Sequence, residues 1–144
     1  MSHRTIRMII AEQEPVTAPA TMTVSEAARL MREHRVGAIM VVQEGALAGI
    51  FTERDALIRV LAEERDVRTT LLADVMTRDP KTIHPDRSFA EALQMMYGGS
   101  FRHVPVVEDG RPVGMVSARD ALGPELETFV YEMLRQEQIG EILA

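Results

Sequence analysis

The chain has 144 residues, 46% of them apolar, and a net charge of −6 at pH 7, with an isoelectric point near 5.2. That length fits one compact domain or two small halves sharing a core, and the acidic balance argues against nucleic acid or an anionic membrane as the main partner, since both need a basic surface. The absence of cysteine excludes a disulfide framework, a thiolate zinc site and a cysteine nucleophile, and with no signal peptide and no apolar run long enough to span a bilayer the expected compartment is the cytoplasm.

Residues 1–14 read as a lead-in whose apolar Met8-Ile9-Ile10 docks on the body. Pro15-Val16-Thr17 reads as a short extended segment, and Pro19 turns the chain. A helix starts at Thr23 or Ser25 with Glu26 in its first turn. Ala27, Leu30 and Met31 give it an apolar face, and it ends at His34-Arg35 near Gly37. Ala38 to Val42 is a continuous apolar run, as a buried strand requires. Gln43-Glu44-Gly45 turns, and Leu47 to Phe51 returns. Thr52 opens a helix reaching Leu61-Ala62, and the charged segment Glu63 to Arg68 is a solvated linker.

The second half repeats this order. Leu72 to Met76 is a short helical turn, the counterpart of the lead-in. Pro80 to Ile83 is a first strand, and Pro85-Asp86 turns into a helix carrying Phe89, Ala92, Leu93 and Met96. Gly98-Gly99 ends that helix. His103 to Val107 is the buried strand, Glu108-Asp109-Gly110-Arg111 a hairpin turn, and Pro112 to Val116 the return strand. Ser117 opens the last helix of the repeat. Gly123-Pro124 breaks the chain, and residues 125–143 form a further helix with Leu126, Phe129, Val130, Met133 and Leu134 at helical spacing. That helix has no counterpart in the first half and is expected to cap the body or meet a second subunit.

The two halves align without a gap when shifted by 65 positions, from about Ile10 to Leu57. Pro15 meets Pro80, Thr17 meets Thr82, and Arg54-Asp55-Ala56-Leu57 meets Arg119-Asp120-Ala121-Leu122. Two copies are too few for a solenoid and fit a pair of half-domains about a pseudo-twofold axis. The sharpest element is Gly49-Ile50-Phe51-Thr52-Glu53-Arg54-Asp55, repeated as Gly114-Met115-Val116-Ser117-Ala118-Arg119-Asp120. Each copy puts a hydroxyl at a helix N-cap and a carboxylate three positions on, which is a capping box with Asp in place of Glu. Capping alone does not account for the Arg before each Asp or for the repeated Gly. A hydroxyl–Arg–Asp cluster at a strand-to-helix junction also suits a ribose and phosphates.

These paired units resemble a tandem of CBS domains, a Bateman module, over about Ile10 to Leu122. The resemblance rests on both Gly-x-x-[Ser/Thr]-x-x-Asp motifs, the Arg-His-Val-Pro-Val-Val strand at 102–107 and the Asp-Gly-x-x-x-Gly hairpin at 109–114. It implies an α/β (α+β) fold with two pseudo-symmetric β-α-β-β-α units, residues 8–62 and 72–123, packed through their sheets, plus the helix at 125–143. It also implies two clefts that take AMP, ADP, ATP, NAD or S-adenosylmethionine as regulatory ligands. Carried over by position, cleft 1 comprises Thr17, Val36, Gly37, Ala38, His103, Ser117, Arg119 and Asp120. There Asp120 and Ser117 take the ribose, Thr17 and residues 36–38 the adenine, and His103 and Arg119 the phosphate. Cleft 2 comprises Thr52, Arg54, Asp55, Thr82, Phe101 and Arg102, with His103 near base or phosphate. Because His103 is matched by Ala38 and Arg102 by Gly37, the clefts are expected to differ in affinity, with the Asp120 cleft the stronger.

The implied role is a sensor that acts on a separate protein target and pairs as a homodimer. The competing reading is an interaction module whose clefts stay empty. An enzyme, for example a nucleotide hydrolase, lacks support, since no His-Asp-Ser arrangement, metal cluster or phosphate loop is visible. His3, His34 and His84 have no metal-ligand spacing and read as structural.

Overall fold

The computed structural model describes residues 4–143, with side chains described through residue 138. The elements run Ile6–Ile10 (α1), Thr17–Pro19 (β1), Val24–His34 (α2), Ala38–Gln43 (β2) and Ala46–Thr52 (β3). A helix then opens at Glu53–Asp55 (α3) and continues as the π-helical stretch Ala56–Leu61. Leu72–Val75 (α4), Thr77–Arg78 (β4), Phe89–Gly99 (α5), His103–Glu108 (β5), Arg111–Ser117 (β6), a 3-10 turn at Ala118–Asp120 and Gly123–Leu143 (α6) complete the chain.

The repeat is visible in the local chemistry. Thr23 Oγ1 accepts from the Glu26 N–H at 3.2 Å, and Ser88 Oγ from the Glu91 N–H at 3.3 Å, so both long helices of the repeat start on a hydroxyl cap. They end 65 positions apart on left-handed residues, Arg35 (φ 54°) and Ser100 (φ 58°). The β2–β3 and β5–β6 hairpins turn through Glu44-Gly45 and Asp109-Gly110, with φ positive at both central residues of each. That is the loop geometry whose twist matches the flanking strands.

β1 pairs in parallel with β2, and β2–β3 and β3–β4 are antiparallel, giving a four-stranded sheet in the order β1-β2-β3-β4. β5 and β6 form a separate hairpin, extended by one parallel bridge between Ile83 and Val106. Each unit packs its own core. Phe51, Ile39, Val41 and Val60 fill the first, and Phe89, Val104, Val106 and Val116 the second. Full burial of each such side chain is worth about 1.5–3 kcal/mol.

The lead-in segments cross over. Ile6 and Ile10 of α1 lie in the core of the second unit, and Leu72, Val75 and Met76 lie in the core of the first. Matched hydrogen bonds fix the exchange: Ile6 N–H donates to Arg87 O and Leu72 N–H to Met22 O, both at 2.9 Å. This exchange explains the glycine repeated in the motif. A Cβ on Gly49 would stand 2.7 Å from Thr77 O and 2.8 Å from Met76 Sδ, and one on Gly114 2.8 Å from Ile10 Cγ2. Each glycine lets the borrowed segment lie against the strand.

Five sequence expectations need correction. The first strand is Thr17–Pro19 rather than Pro15 to Thr17; Pro19 closes it and opens the turn that follows, its carbonyl accepting from the Met22 N–H at 3.0 Å. Proline is tolerated there because β1 is a sheet edge. Pro80 to Ile83 forms no full strand; only Ile83 bridges to β5. Pro85 stands 65 positions after Ala20 and has no N–H with which to continue a ladder. Gly98 and Gly99 remain inside α5, and Ser100 is the cap. The helix expected after Ser117 is a single 3-10 turn. Finally, α6 starts at Gly123 rather than Glu125. Proline fits a helix's first turn, so Pro124 sits inside α6 and the break falls before it.

Candidate functional site

Both motif carboxylates close capping boxes. Asp55 Oδ2 accepts from the Thr52 N–H at 3.0 Å and from Thr52 Oγ1 at 3.1 Å. Asp55 Oδ1 accepts from Thr77 Oγ1 at 3.0 Å and lies 3.4 Å from Arg59 Nε. With 6% exposure, Asp55 is buried and engaged at both oxygens. Asp120 Oδ2 accepts from the Ser117 N–H at 2.7 Å and more distantly, at 3.5 Å, from Ser117 Oγ. Asp120 is only half-buried, and among the described residues its Oδ1 carries no hydrogen bond. The two copies therefore diverge in their free acceptor capacity.

The divergence traces to two positions. Pro124 stands 65 places after Arg59, and Thr77 stands 65 after Glu12. Pro124 also has no N–H to donate back to the Asp120 carbonyl. Arg4 fills that role: its Nη2 donates to Asp120 O at 2.6 Å while its Nε donates to Glu125 Oε2 at 3.0 Å. The Arg4 guanidinium also lies 5.6 Å over the Phe89 ring. Its hydrogen bond to Glu125 raises the Arg4 pKa and lowers that of Glu125.

Two clefts lie between the units. Cleft 1, of about 470 Å³, is lined by Val36, Gly37 and Ala38 from the first unit and by His103, Ser117, Arg119 and Asp120 from the second. Cleft 2, of about 750 Å³, is lined by Thr52, Arg54 and Asp55 from the first and by Phe101 and Arg102 from the second. Thr17 and Thr82 line neither; Val16 and Lys81, one residue earlier, take their places. Thr17 instead pairs with Met40 on the sheet edge, and both threonines are solvent-exposed. The same one-residue displacement in both halves follows from the β1 register.

His103 and Arg102 line both clefts, as do Gly37 and Glu53. His103 thus faces the Asp120 cleft and the Asp55 cleft alike. Sequence reasoning missed Glu53, although it sits inside the motif at the one position where the copies differ in charge, Glu53 against Ala118. It also missed His34 and Arg35 in cleft 1 and Arg59 and Thr77 in cleft 2. His34 Nδ1–H donates to Leu30 O at 3.0 Å. No ion pair among the described residues engages Arg35, Arg54, Arg102 or Arg119, so each cleft holds uncommitted guanidinium groups. Burial lowers the His103 pKa; Glu53 opposes that shift, and the nearby Arg102 and Arg119 reinforce it.

One further constellation lies outside the clefts. His84, Asp86 and Glu108 bring ligand atoms within 4.8 Å of one another at the surface. Arg7 already supplies the cation, at 2.9 Å from Asp86 Oδ1 and 2.7 Å from Glu108 Oε2. His84 Nδ1 accepts from the Asp86 N–H at 3.1 Å. His3 falls outside the described residues.

Comparison with known proteins agrees with this geometry. The family model for the CBS domain matches residues 6–62 and 72–124. The CBS domain-containing protein CBSX3, mitochondrial, of Arabidopsis thaliana is 40% identical over 105 residues, covering 69% of this chain; the chain spans about half, 51%, of that relative. Among solved structures, the CBS domain protein PAE2072 from Pyrobaculum aerophilum complexed with AMP superposes with a TM-score of 0.77 at 25% identity, over 89% of this chain and 98% of that one. The CBS domain pair of protein MJ0100, in complex with 5-methylthioadenosine and S-adenosyl-L-methionine, superposes with a TM-score of 0.74 at 29% identity, over 83% and 93%. With two matched repeats, two exchanged lead-in segments and two clefts between the units, the chain belongs to the CBS-domain family, as a tandem pair.

Proposed function

We propose that the chain is a regulatory module that binds an adenosine-containing ligand between its two units and acts on a separate protein target, without catalysis of its own. The observation that carries this reading is the half-buried Asp120 carboxylate, one oxygen fixed by Ser117 and the other free, in a cleft holding uncommitted Arg35, Arg102 and Arg119. An open carboxylate oxygen accepts ribose hydroxyls, and the guanidinium groups suit phosphate. The AMP complex of PAE2072 and the S-adenosyl-L-methionine complex of MJ0100 support the class of ligand. Cleft 1 is the stronger site in this proposal, because the Asp55 carboxylate of cleft 2 is already saturated.

The proposed assembly is a homodimer. Leu57 and Leu61 are exposed, and so are their 65-shifted equivalents Leu122 and Leu126. A matched apolar pair on each side of the pseudo-twofold axis suits a second copy. The proposed setting is the cytoplasm. Among the described residues, no helix is long and apolar enough to cross a membrane.

The test is a thermal-shift screen against AMP, ADP, ATP, NAD and S-adenosylmethionine, followed by titration of wild type and Asp120→Asn. A ligand at about 100 times its Kd stabilises by about 2.7 kcal/mol, a shift of several degrees. Loss of a charged acceptor costs about 1.5–3 kcal/mol, or roughly tenfold or more in Kd. No response to any of the five would favour the module with empty clefts.

A further inference from the structure

The two clefts share a wall, and the wall is not symmetric. Gly37, Glu53, Arg102 and His103 line both. Under the 65-residue shift, Arg102 answers to Gly37, His103 to Ala38 and Glu53 to Ala118. The backbone there is twofold: Glu53 N–H donates to Gly37 O at 3.0 Å and Ala118 N–H to Arg102 O at 3.1 Å. The side chains are not. Every ionisable group on the wall occurs once and faces two clefts, whereas Arg35 and Arg119 line cleft 1 alone and Arg54, Arg59 and Lys81 line cleft 2 alone.

The Glu53 carboxylate occupies the space a side chain at position 37 would need, since a Cβ on Gly37 would overlap Glu53 Oε1. No ion pair among the described residues engages Arg102. The wall therefore holds a guanidinium and an imidazole that are open to an anion from either side, with one carboxylate competing for them.

Resting on the adenosine reading above, we propose that this wall is a single anion locus serving both clefts, so that a phosphate-bearing ligand in one cleft weakens binding of a second in the other. The first phosphate draws on Arg102 and His103 as well as the cations of its own cleft. The second finds those groups committed and meets the charge of the first across the wall. Adenosine has no phosphate and escapes the coupling. Glu53 sets how much an anion gains on the wall.

The experiment is calorimetric titration of the full chain with AMP and, separately, adenosine. The ratio of second to first Kd should be wider for AMP than for adenosine by at least about fivefold, the lower end of measured site-to-site coupling. A single AMP step beside two adenosine steps is the extreme form of the same result. Arg102→Gln should narrow the AMP ratio to that of adenosine measured on the same variant. Glu53→Ala, which installs the residue found at position 118, should tighten the first AMP step severalfold more than it moves the first adenosine step.

Equal ratios for the two ligands overturn the shared locus while leaving the adenosine site standing, as does a single step for both. AMP binding no tighter than adenosine also overturns it. If neither ligand binds, the shared locus and the adenosine reading fall together.

Discussion

Gly49→Ala tests the exchange of lead-in segments, on which the whole arrangement of the clefts depends. The added methyl would lie 2.7 Å from Thr77 O, about 0.7 Å inside the 3.4 Å at which ordinary contact begins. The obstacle is backbone, so it cannot rotate away. β4 has only two paired residues, Arg78 opposite Gly49 and Thr77 opposite Ile50, and is the element that must move. Its displacement breaks the 3.0 Å bond from Thr77 Oγ1 to Asp55 Oδ1 and loosens Met76 from the first core. Overpacking of this kind costs about 1–3 kcal/mol, and the lost bond to a carboxylate adds about 1.5 kcal/mol or more. We therefore expect a loss of roughly 2.5–4.5 kcal/mol, read as a lower urea midpoint at unchanged slope. Gly98→Ala is the control, because a Cβ there meets nothing within 4 Å inside α5. It should stabilise by about 0.5–1 kcal/mol. A Gly49→Ala protein within 0.5 kcal/mol of wild type would refute the account of why the motif carries glycine.

Other expectations concern the junction of the second unit with α6 and the shared wall. Arg4→Gln removes the donor to the Asp120 carbonyl, which Pro124 cannot replace, and should cost roughly 1.5–3 kcal/mol by denaturant titration; a loss below 0.5 kcal/mol would mean that water serves Asp120 equally well. His103 has a folded pKa below its ordinary 6.5 because burial disfavours the imidazolium. The unfolded chain then binds the extra proton as pH falls through about 6.5, and native stability declines there until the folded pKa is reached. His103→Gln should remove that decline, so a variant with the same acid dependence as wild type would exclude His103 as its source. Leu126→Asp should shift the proposed homodimer to monomer in sedimentation without unfolding the chain, since Leu126 is 48% exposed in the single subunit; a wild type that sediments as a monomer would refute the proposed assembly, and a variant that stays dimeric would refute the Leu126 contact.

Much of the architecture is legible in the chain because it is encoded locally and twice. Thr23 and Ser88 as caps, the apolar run Ala38 to Val42, and the turns at Glu44-Gly45 and Asp109-Gly110 each depend on a few neighbouring residues, and the 65-residue shift confirms each half by the other. Residues at the strand-to-helix junctions were equally legible: Val36 to Ala38, Thr52, Ser117, Arg119 and Asp120 all reach a cleft. Proline effects were only half visible. That Pro19 and Pro124 sit inside elements and Pro85 outside one depends on which edge or turn each occupies.

Two capping motifs and two units follow from residue type and spacing along one strand or helix turn, and those motifs carry the resemblance to the family. Which half's core receives each lead-in segment is set by the packed fold, because Ile6 and Leu72 are apolar in the same way and nothing local directs one to the far unit. The packed fold also decides that Asp55 is saturated and Asp120 open, since the partners Thr77 and Arg59 reach Asp55 through the crossover and the π-helical stretch. That Arg102 and Glu53 face both clefts belongs to the same class: a residue on a pseudo-twofold axis has two neighbourhoods, and a linear repeat shows only one.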